Sequence, residues 1–287
     1  MALLSAERSE ARRFPVGLLL VAAPVLLVLV FVLLPALAAI VSTLRTGDEG
    51  GWSLGAYRQF FGDPLSTGNL VFTLLSTVVT SALLIALCLP IALYLRFSSG
   101  RLPAFVQSVA VFPLFVPGII VAYALVRFMG PNGTLQTVLH GLGIDGFRSP
   151  YLTPLGTVIG LVWEGIPLTL LILLSGLAQI PNAAIEAARD VGAGSLRILT
   201  GIILPLIRNS MIVAFSLSFL GVFGAFTMPF LLGPASPEMM GVFMQRTFSE
   251  LHDPVQAQTQ AVLCFLACAA VGVLYVRSVA RSRGKSS

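Results

Sequence analysis

Long apolar runs separated by short polar connections set the pattern of this chain. No charged residue occurs in 14–44, 64–95 or 102–126; a fourth run, 153–177, holds one acid, Glu164, and two more cover 209–232 and 255–276. A helix of about twenty apolar residues crosses the hydrocarbon of a bilayer, and a charge near its centre is costly. The pattern therefore predicts six transmembrane helices, at about 15–41, 69–95, 103–127, 153–178, 209–232 and 255–276. The second is expected to start near Asn69, because the residues just before it are turn-like. Strands of a closed barrel alternate apolar and polar positions over about ten residues, and these runs do not.

The fold class is thus all-α and integral to the membrane, one domain over 14–276 with short tails at 1–13 and 277–287. Composition agrees: 56% hydrophobic against 10% charged residues leaves too little polar surface to cover a globule in water, so the bilayer is the solvent. Basic residues orient the spans, since they gather on the cytoplasmic side. With the N-terminus inside, Arg8, Arg12, Arg13, Arg96, Arg101, Arg189, Arg197, Arg208, Arg277, Arg281, Arg283 and Lys285 are inner. Only Arg45, Arg58, Arg127, Arg148 and Arg246 are outer. Both termini and the 181–208 loop are expected in the cytoplasm. Anionic lipid headgroups account for the net charge of +5, and no nucleic-acid partner is called for.

Arg12-Arg13 ahead of an apolar run that ends in Ala36-Leu37-Ala38 imitates a signal peptide. The uncharged stretch is more than twice the ~7–15-residue core of such a signal, so a retained first helix is expected. Cys88, Cys264 and Cys268 lie in spans and read as small packing residues, with no disulfide. His140 and His252 fall in outer loops, so no metal site is expected. Residues 54–61 predict a short helix in the first outer loop. Leu135, Val138, Leu139 and Leu142 predict an amphipathic helix on the outer surface.

The connection between the fourth and fifth spans carries the chemistry. Ala183, Ala184, Ala187 and Ala188 favour a helix that starts at Pro181 with Asn182 as its cap, and Gly192 and Gly194 end it. Glu186 and Asp190, four apart, form an acidic stripe beside alanines that permit close approach. Leu196, Ile198, Leu199 and Ile202 begin a second helix, which Pro205 is expected to bend into the fifth span.

Glu186-Ala187-Ala188, three residues, Gly192, nine residues, Ile202, one residue and Leu204-Pro205 together resemble the EAA loop of ABC importer permeases at every fixed position. The resemblance implies the six-span type I importer permease fold in a bacterial cytoplasmic (inner) membrane. It implies a coupling helix in which Glu186, Ala187, Ala188, Asp190, Gly192, Ile202, Leu204 and Pro205 form the docking loop for a cytoplasmic ATPase. The chain has no Gly-x-x-x-x-Gly-Lys-Ser/Thr loop. Two ATPase subunits are therefore the expected holders of ATP and magnesium, with no catalytic, cofactor or metal residue in this chain. A second permease, a different chain, and an extracytoplasmic solute-binding protein complete the implied assembly.

The string from Phe223-Gly224-Ala225-Phe226-Thr227-Met228-Pro229 to Gly233-Pro234 resembles permeases for polyamines, and related ones for ferric iron and phosphonates. Trp163 and Pro167 in the fourth run fit the same group. The Asp and Thr-Gly-Gly-Gly-Pro turn usual in sugar permeases is missing. Trp163, Glu164, Phe226 and Thr227 are the expected substrate path. Glu164, about ten residues into its span, needs a wet path or a partner: either it meets a cationic solute, or it is bonded to backbone at a Pro167 kink or to the paired permease. His140, Glu250, His252 and Asp253 are outer residues open to the binding protein. An ion-coupled secondary transporter is the alternative from another class, but it needs a relay and the spans offer one acid.

Overall fold

The computed structural model describes residues 20–45 and 51–283; the two tail segments 1–13 and 284–287, with Arg8, Arg12, Arg13 and Lys285, lie outside them. The described residues fold into helices without a strand. Helix α1 (Leu20–Leu44) is the first span. A surface helix, α2 (Gly55–Gly62), precedes α3 (Pro64–Phe97). The third apolar run is divided between α4 (Arg101–Val111) and α5 (Gly118–Met129), and α6 (Thr134–Gly141) lies outside. Then come α7 (Pro154–Ala178), the loop helix α8 (Asn182–Asp190) and α9 (Ser195–Phe223). The chain closes with α10 (Thr227–Leu232), α11 (Met240–Ser249) and α12 (Pro254–Arg283).

Among the described residues α1, α3, α7, α9 and α12 are long and apolar enough to cross a bilayer, and the bent α4–α5 pair makes a sixth. Helix α7 packs along α3 and α9, and α9 packs along α12 and α3. Helix α1 stands at the edge, with its apolar side chains turned outward. It is tied in near its outer end, where Ser42 bonds to Gln258 and Thr43 to the Tyr57 hydroxyl at 2.9 Å.

Four boundaries differ from the sequence reading. The third run is not one helix: the segments Arg101–Phe115 and Gly118–Gly141 meet at 107°. Pro113 and Pro117 lie in it, and a proline lacks an amide donor and drives the residue before it out of the helical region. Val116 accordingly has φ −108° and ψ 122°. The fifth run is also interrupted, since α9 ends at Phe223 and α10 starts only at Thr227. Helix α3 begins at Pro64 rather than near Asn69, because Asp63 accepts the amides of Leu65 and Ser66 at 3.2 and 2.9 Å and Pro64 suits a first turn. Helix α9 is continuous through Pro205 from Ser195. A π turn, Leu199–Ile203, gives the ring room, and the Leu204 amide reaches back to the Leu199 carbonyl.

The core has an inner and an outer half. Cys88, Ala92, Leu170, Leu173 and Leu177 fill the inner half. Val121, Leu161, Val222, Met228 and Leu232 fill the outer one. Above the outer half, the loop between α10 and α11 is latched to α3. The Glu238 amide donates to Asn69 Oδ1 at 3.0 Å and the Met240 amide to Thr73 Oγ1 at 2.8 Å. The Glu238 carboxyl is buried and paired with Arg246. Burial raises its pKa, and the Arg246 charge works against that rise.

Removing one partner of a buried ion pair strands the other and costs on the order of 3–5 kcal/mol. Arg246→Met is therefore expected to lower the thermal midpoint of the purified protein clearly, and adding Glu238→Gln to restore most of the loss. A single variant that melts with the parent would show that the pair does not hold this loop.

Candidate functional site

The predicted docking loop is a helix with one buried foot. Of the α8 residues only Ile185 is buried; it enters the inner core with Ile198 and Ile203, beside Leu173 and Leu177. The rest of the motif faces outward: Glu186, Ala187, Asp190, Gly192 and Pro205 are exposed, and Ala188, Ile202 and Leu204 are half-buried. Gly192 ends the helix with φ +81°. Its amide donates to the Arg189 carbonyl and the Ala193 amide to the Ala188 carbonyl, each at 2.9 Å. That bond pair closes a helix through a left-handed residue, which is the physical reason for glycine at this place in the motif.

Two apolar residues stand at the tip, Val191, which the sequence reading passed over, and Leu196, which it took only as the start of the next helix. Val191 is 84% and Leu196 74% exposed. Both flank Gly192 and are out of phase with the buried Ile185 and Ile198. Their exposed apolar side chains stand beside the exposed Ala187 and the Glu186–Asp190 stripe.

Arg96, the last basic residue of α3, ties this loop to the bundle. Its Nε donates to the Leu177 carbonyl at 3.2 Å, and Nη2 to the Ile180 carbonyl at 3.2 Å and to Asn182 Oδ1 at 2.7 Å. One guanidinium thus satisfies carbonyls at the end of α7 and grips the first residue of α8. Asn182 is not the helix cap that its position suggests, because its side-chain oxygen is taken by this charged donor; Pro181 occupies the cap position without a side-chain bond. A lone arginine at a helix end reads in sequence as a topology marker, which is why its second role was not seen.

The substrate-path residues divide. Glu164, Phe226 and Thr227 line one cavity of about 270 Å³ between α7 and the end of α9, with Ser218 and Gly221 on the facing wall. Trp163 is not among its lining residues; it packs against the outer core around Met228 and Leu232. Glu164 is exposed on the surface of this chain, and among the described residues no lysine or arginine forms an ion pair with it. A Cβ added to Gly118 would lie 3.2 Å from a Glu164 carboxyl oxygen. Gly118 is the first residue of α5, so the carboxyl lies near a helix N-terminus, whose dipole favours negative charge, without accepting a hydrogen bond from it. Helix α7 runs unbroken through Pro167.

A polar stripe on α3 was also missed. Asn69, Thr73, Ser76, Thr77, Thr80 and Ser81 are all buried, at spacings of three and four that put them on one helical face. Small hydroxyl side chains let membrane helices approach closely, and the spacing was legible in the sequence. Across the bundle Thr169 and Ser218 share a hydrogen bond of 2.9 Å. The outer residues are not gathered: His140 pairs with Asp145 at 2.9 Å, His252 bonds the Glu250 carbonyl at 2.9 Å, and Asp253 caps α12 through the Gln256 amide.

Residues 85–284 match the model of the family described as binding-protein-dependent transport system inner membrane component. The spermidine/putrescine transport system permease protein PotB of Escherichia coli (strain K12) is 30% identical over 244 residues, covering 81% of this chain and 87% of that protein. The sulfoquinovosyl glycerol transport system permease protein SmoG of Agrobacterium fabrum is 28% identical over 235 residues, covering 78% and 75%. A chain of a bacterial alginate ABC transporter, solved with an alginate pentasaccharide-bound periplasmic protein, superposes with a TM-score of 0.79 at 17% identity over 96% of each chain, a likeness of fold.

Arg96→Ala should free α8 without unfolding the bundle. Amide exchange in residues 182–192 is expected to quicken by an order of magnitude or more while α3 residues up to Thr80 stay protected. Unchanged exchange in the loop would mean that Ile185 alone anchors it.

Proposed function

This chain belongs to the family of binding-protein-dependent transport system inner membrane components and is a permease subunit of an ATP-binding-cassette importer in the inner membrane; we propose that its cargo is a polyamine or a similar cationic organic solute. Permeases of such importers work with ATPase subunits and a solute-binding protein. They are not the catalysts, since ATP hydrolysis belongs to the partner ATPase.

The observation that carries the cargo reading is Glu164 on the wall of the cavity with Phe226 and Thr227. A carboxylate at mid-membrane costs about 2.5–3.5 kcal/mol on insertion scales. The start of α5 offsets part of that cost, yet a helix end supplies only about half a positive charge. The site keeps a net preference for a cation and a penalty for an anion. Phe226 and the aliphatic wall suit the methylene chain of a polyamine, and Ser218 and Thr227 offer acceptors for its amino groups. The PotB relative, named for spermidine and putrescine, supports the same cargo, and the SmoG relative is the reason to test sugars beside it.

The same exposed acid bears on the assembly. A carboxylate on the outside of a bundle at this depth cannot face lipid tails, so the Glu164 face of α7 meets a second permease across the path. We take that partner to be a different chain. Two ATPase subunits, with their ATP and magnesium, dock on the loops of the pair. Here Glu186 and Asp190 face a basic groove, Val191 and Leu196 enter it, and Ala187, Ala188 and Gly192 let the backbones approach. Ile202, Leu204 and Pro205 carry the motion into α9. Nucleotide-driven closure of the ATPases moves α8, and Arg96 passes the movement to α3 and α7, opening the path to alternate sides.

Uptake of labelled spermidine by proteoliposomes holding the complete complex tests the cargo. Glu164→Gln is expected to slow uptake at least tenfold while assembly and basal ATP hydrolysis persist. A complex that carries a phosphonate, ferric ion or sulfonated sugar and ignores polyamines would sink the cation reading and leave the permease assignment intact. For the loop, Leu196→Asp and Glu186→Lys should each abolish co-purification of the ATPase from membranes in which the permease is still inserted. Full co-purification of both variants would remove the docking assignment.

A further inference from the structure

The Glu164 cavity has two side-chain hydroxyls on its wall, Ser218 and Thr227, and only one of them is free to turn. A hydroxyl carries one proton and two lone pairs, so the place its proton goes decides what the oxygen offers to a solute. No lysine, arginine, histidine, asparagine or glutamine is among the lining residues. The direction of the hydroxyls therefore weighs heavily in what the wall recognises.

The direction of the Ser218 proton follows from a short relay. Thr169 Oγ1 lies 2.8 Å from the Gly165 carbonyl, one turn earlier in α7. A carbonyl can only accept, so the single Thr169 proton is committed there. Thr169 Oγ1 also lies 2.9 Å from Ser218 Oγ, across the contact of α7 with α9. Thr169 is therefore the acceptor of that bond and Ser218 its donor. Thr169 is fully buried, where no water competes for the bond, while Ser218 keeps 6% of its surface open. With its proton held on the Thr169 side, Ser218 offers the cavity lone pairs alone.

A second acceptor follows three residues on. Gly221 lines the same cavity and is exposed. In a continuing helix the Ala225 amide would reach the Gly221 carbonyl, but α9 ends at Phe223 and that amide goes to the Val222 carbonyl at 3.1 Å. The Gly221 carbonyl thus belongs to the last turn of α9, the negative end of the helix dipole. With Glu164, the lining residues supply a carboxyl, a carbonyl and a hydroxyl oxygen as acceptors.

We propose that Thr169 is a positioning residue that locks Ser218 as an acceptor, and that Ser218 selects the N–H donors of a primary ammonium group where Glu164 selects its charge. A primary ammonium carries three N–H donors; a quaternary ammonium of the same charge carries none. A carboxylate or phosphate oxygen would set its own lone pairs against those of Ser218. The inference rests on the cationic cargo of the path and goes beyond it, because it separates recognition of donors from recognition of charge and gives a role to a side chain that touches no cargo.

Calorimetric titration of the complete complex in nanodiscs, without the solute-binding protein, tests this with two cations, butylammonium and butyltrimethylammonium. The parent is expected to bind butylammonium at least tenfold more tightly. Ser218→Ala should lower that ratio at least fivefold. Thr169→Val keeps the shape of a side chain outside the cavity and should lower the ratio at least threefold, while Thr169→Ser, which keeps the relay, holds the parent value. Loosened packing would weaken both cations together and leave the ratio unmoved, so the ratio separates positioning from a structural role. A parent that binds neither cation removes the cargo reading on which the inference rests. A parent that binds both equally, or whose ratio is unmoved by Ser218→Ala or by Thr169→Val, overturns the lock and leaves the cation path standing.

Discussion

Backbone amides and carbonyls inside hydrocarbon have no water to turn to, so a membrane helix can break only where the protein absorbs the broken bonds. Prolines decide where that happens in this chain. Pro35 and Pro205 each follow a π turn that lets the helix continue, and Pro90 and Pro167 lie within unbroken helices. Pro113 and Pro117 act differently. They end α4, turn the chain through 107° and free the N-terminus of α5 inside the bundle. Glu164 comes to that end. The carboxyl of Glu164 and the dipole of that helix start are close neighbours.

The docking loop depends on a related economy of backbone groups. Of the carbonyls at the end of α7, that of Leu177 already accepts the Ile180 amide, and Arg96 adds donors to Leu177 and Ile180 while also holding Asn182. The same side chain that completes α7 therefore sets where α8 sits. Ile185, Ile198 and Ile203 fasten the loop from below. Helix α8 is thereby joined to α3 and α7 through bonds and close packing. At the other end, Asn69 and Thr73 hold the α10–α11 loop against α3. Helix α3 is thus attached near both ends to the segments that bound the path.

Much of this was legible because bilayer physics constrains sequences strongly. Uncharged runs of about twenty residues and the bias of arginines to one side already point to an integral, all-helical chain with the 181–208 loop inside. The spacing of Glu186, Ala187, Ala188, Gly192, Ile202, Leu204 and Pro205 carried the family. Errors fell where hydropathy is silent. It reports that residues are apolar, not that they are helical, so the breaks at Val116-Pro117 and at Gly224–Phe226 vanished into apolar runs. Attention to charge also hid Val191 and the exposure of Leu196 at the loop tip, and the hydroxyl stripe of α3.

Side-chain partners were beyond the sequence for a further reason. Whether Asn182 caps its own helix or accepts from Arg96, 86 positions earlier, is a competition between a local bond and a distant charged donor, and only the packing of α3 against α7 brings that donor within 2.7 Å. The nearness of Glu164 to the start of α5 is of the same kind. By itself the sequence determined the solvent, the helical class and the motif, because each depends on residues near in the chain or on the bilayer common to all spans. The tertiary structure decided which acid meets which helix end and which arginine holds the loop, because those energies depend on distances that only the folded bundle sets.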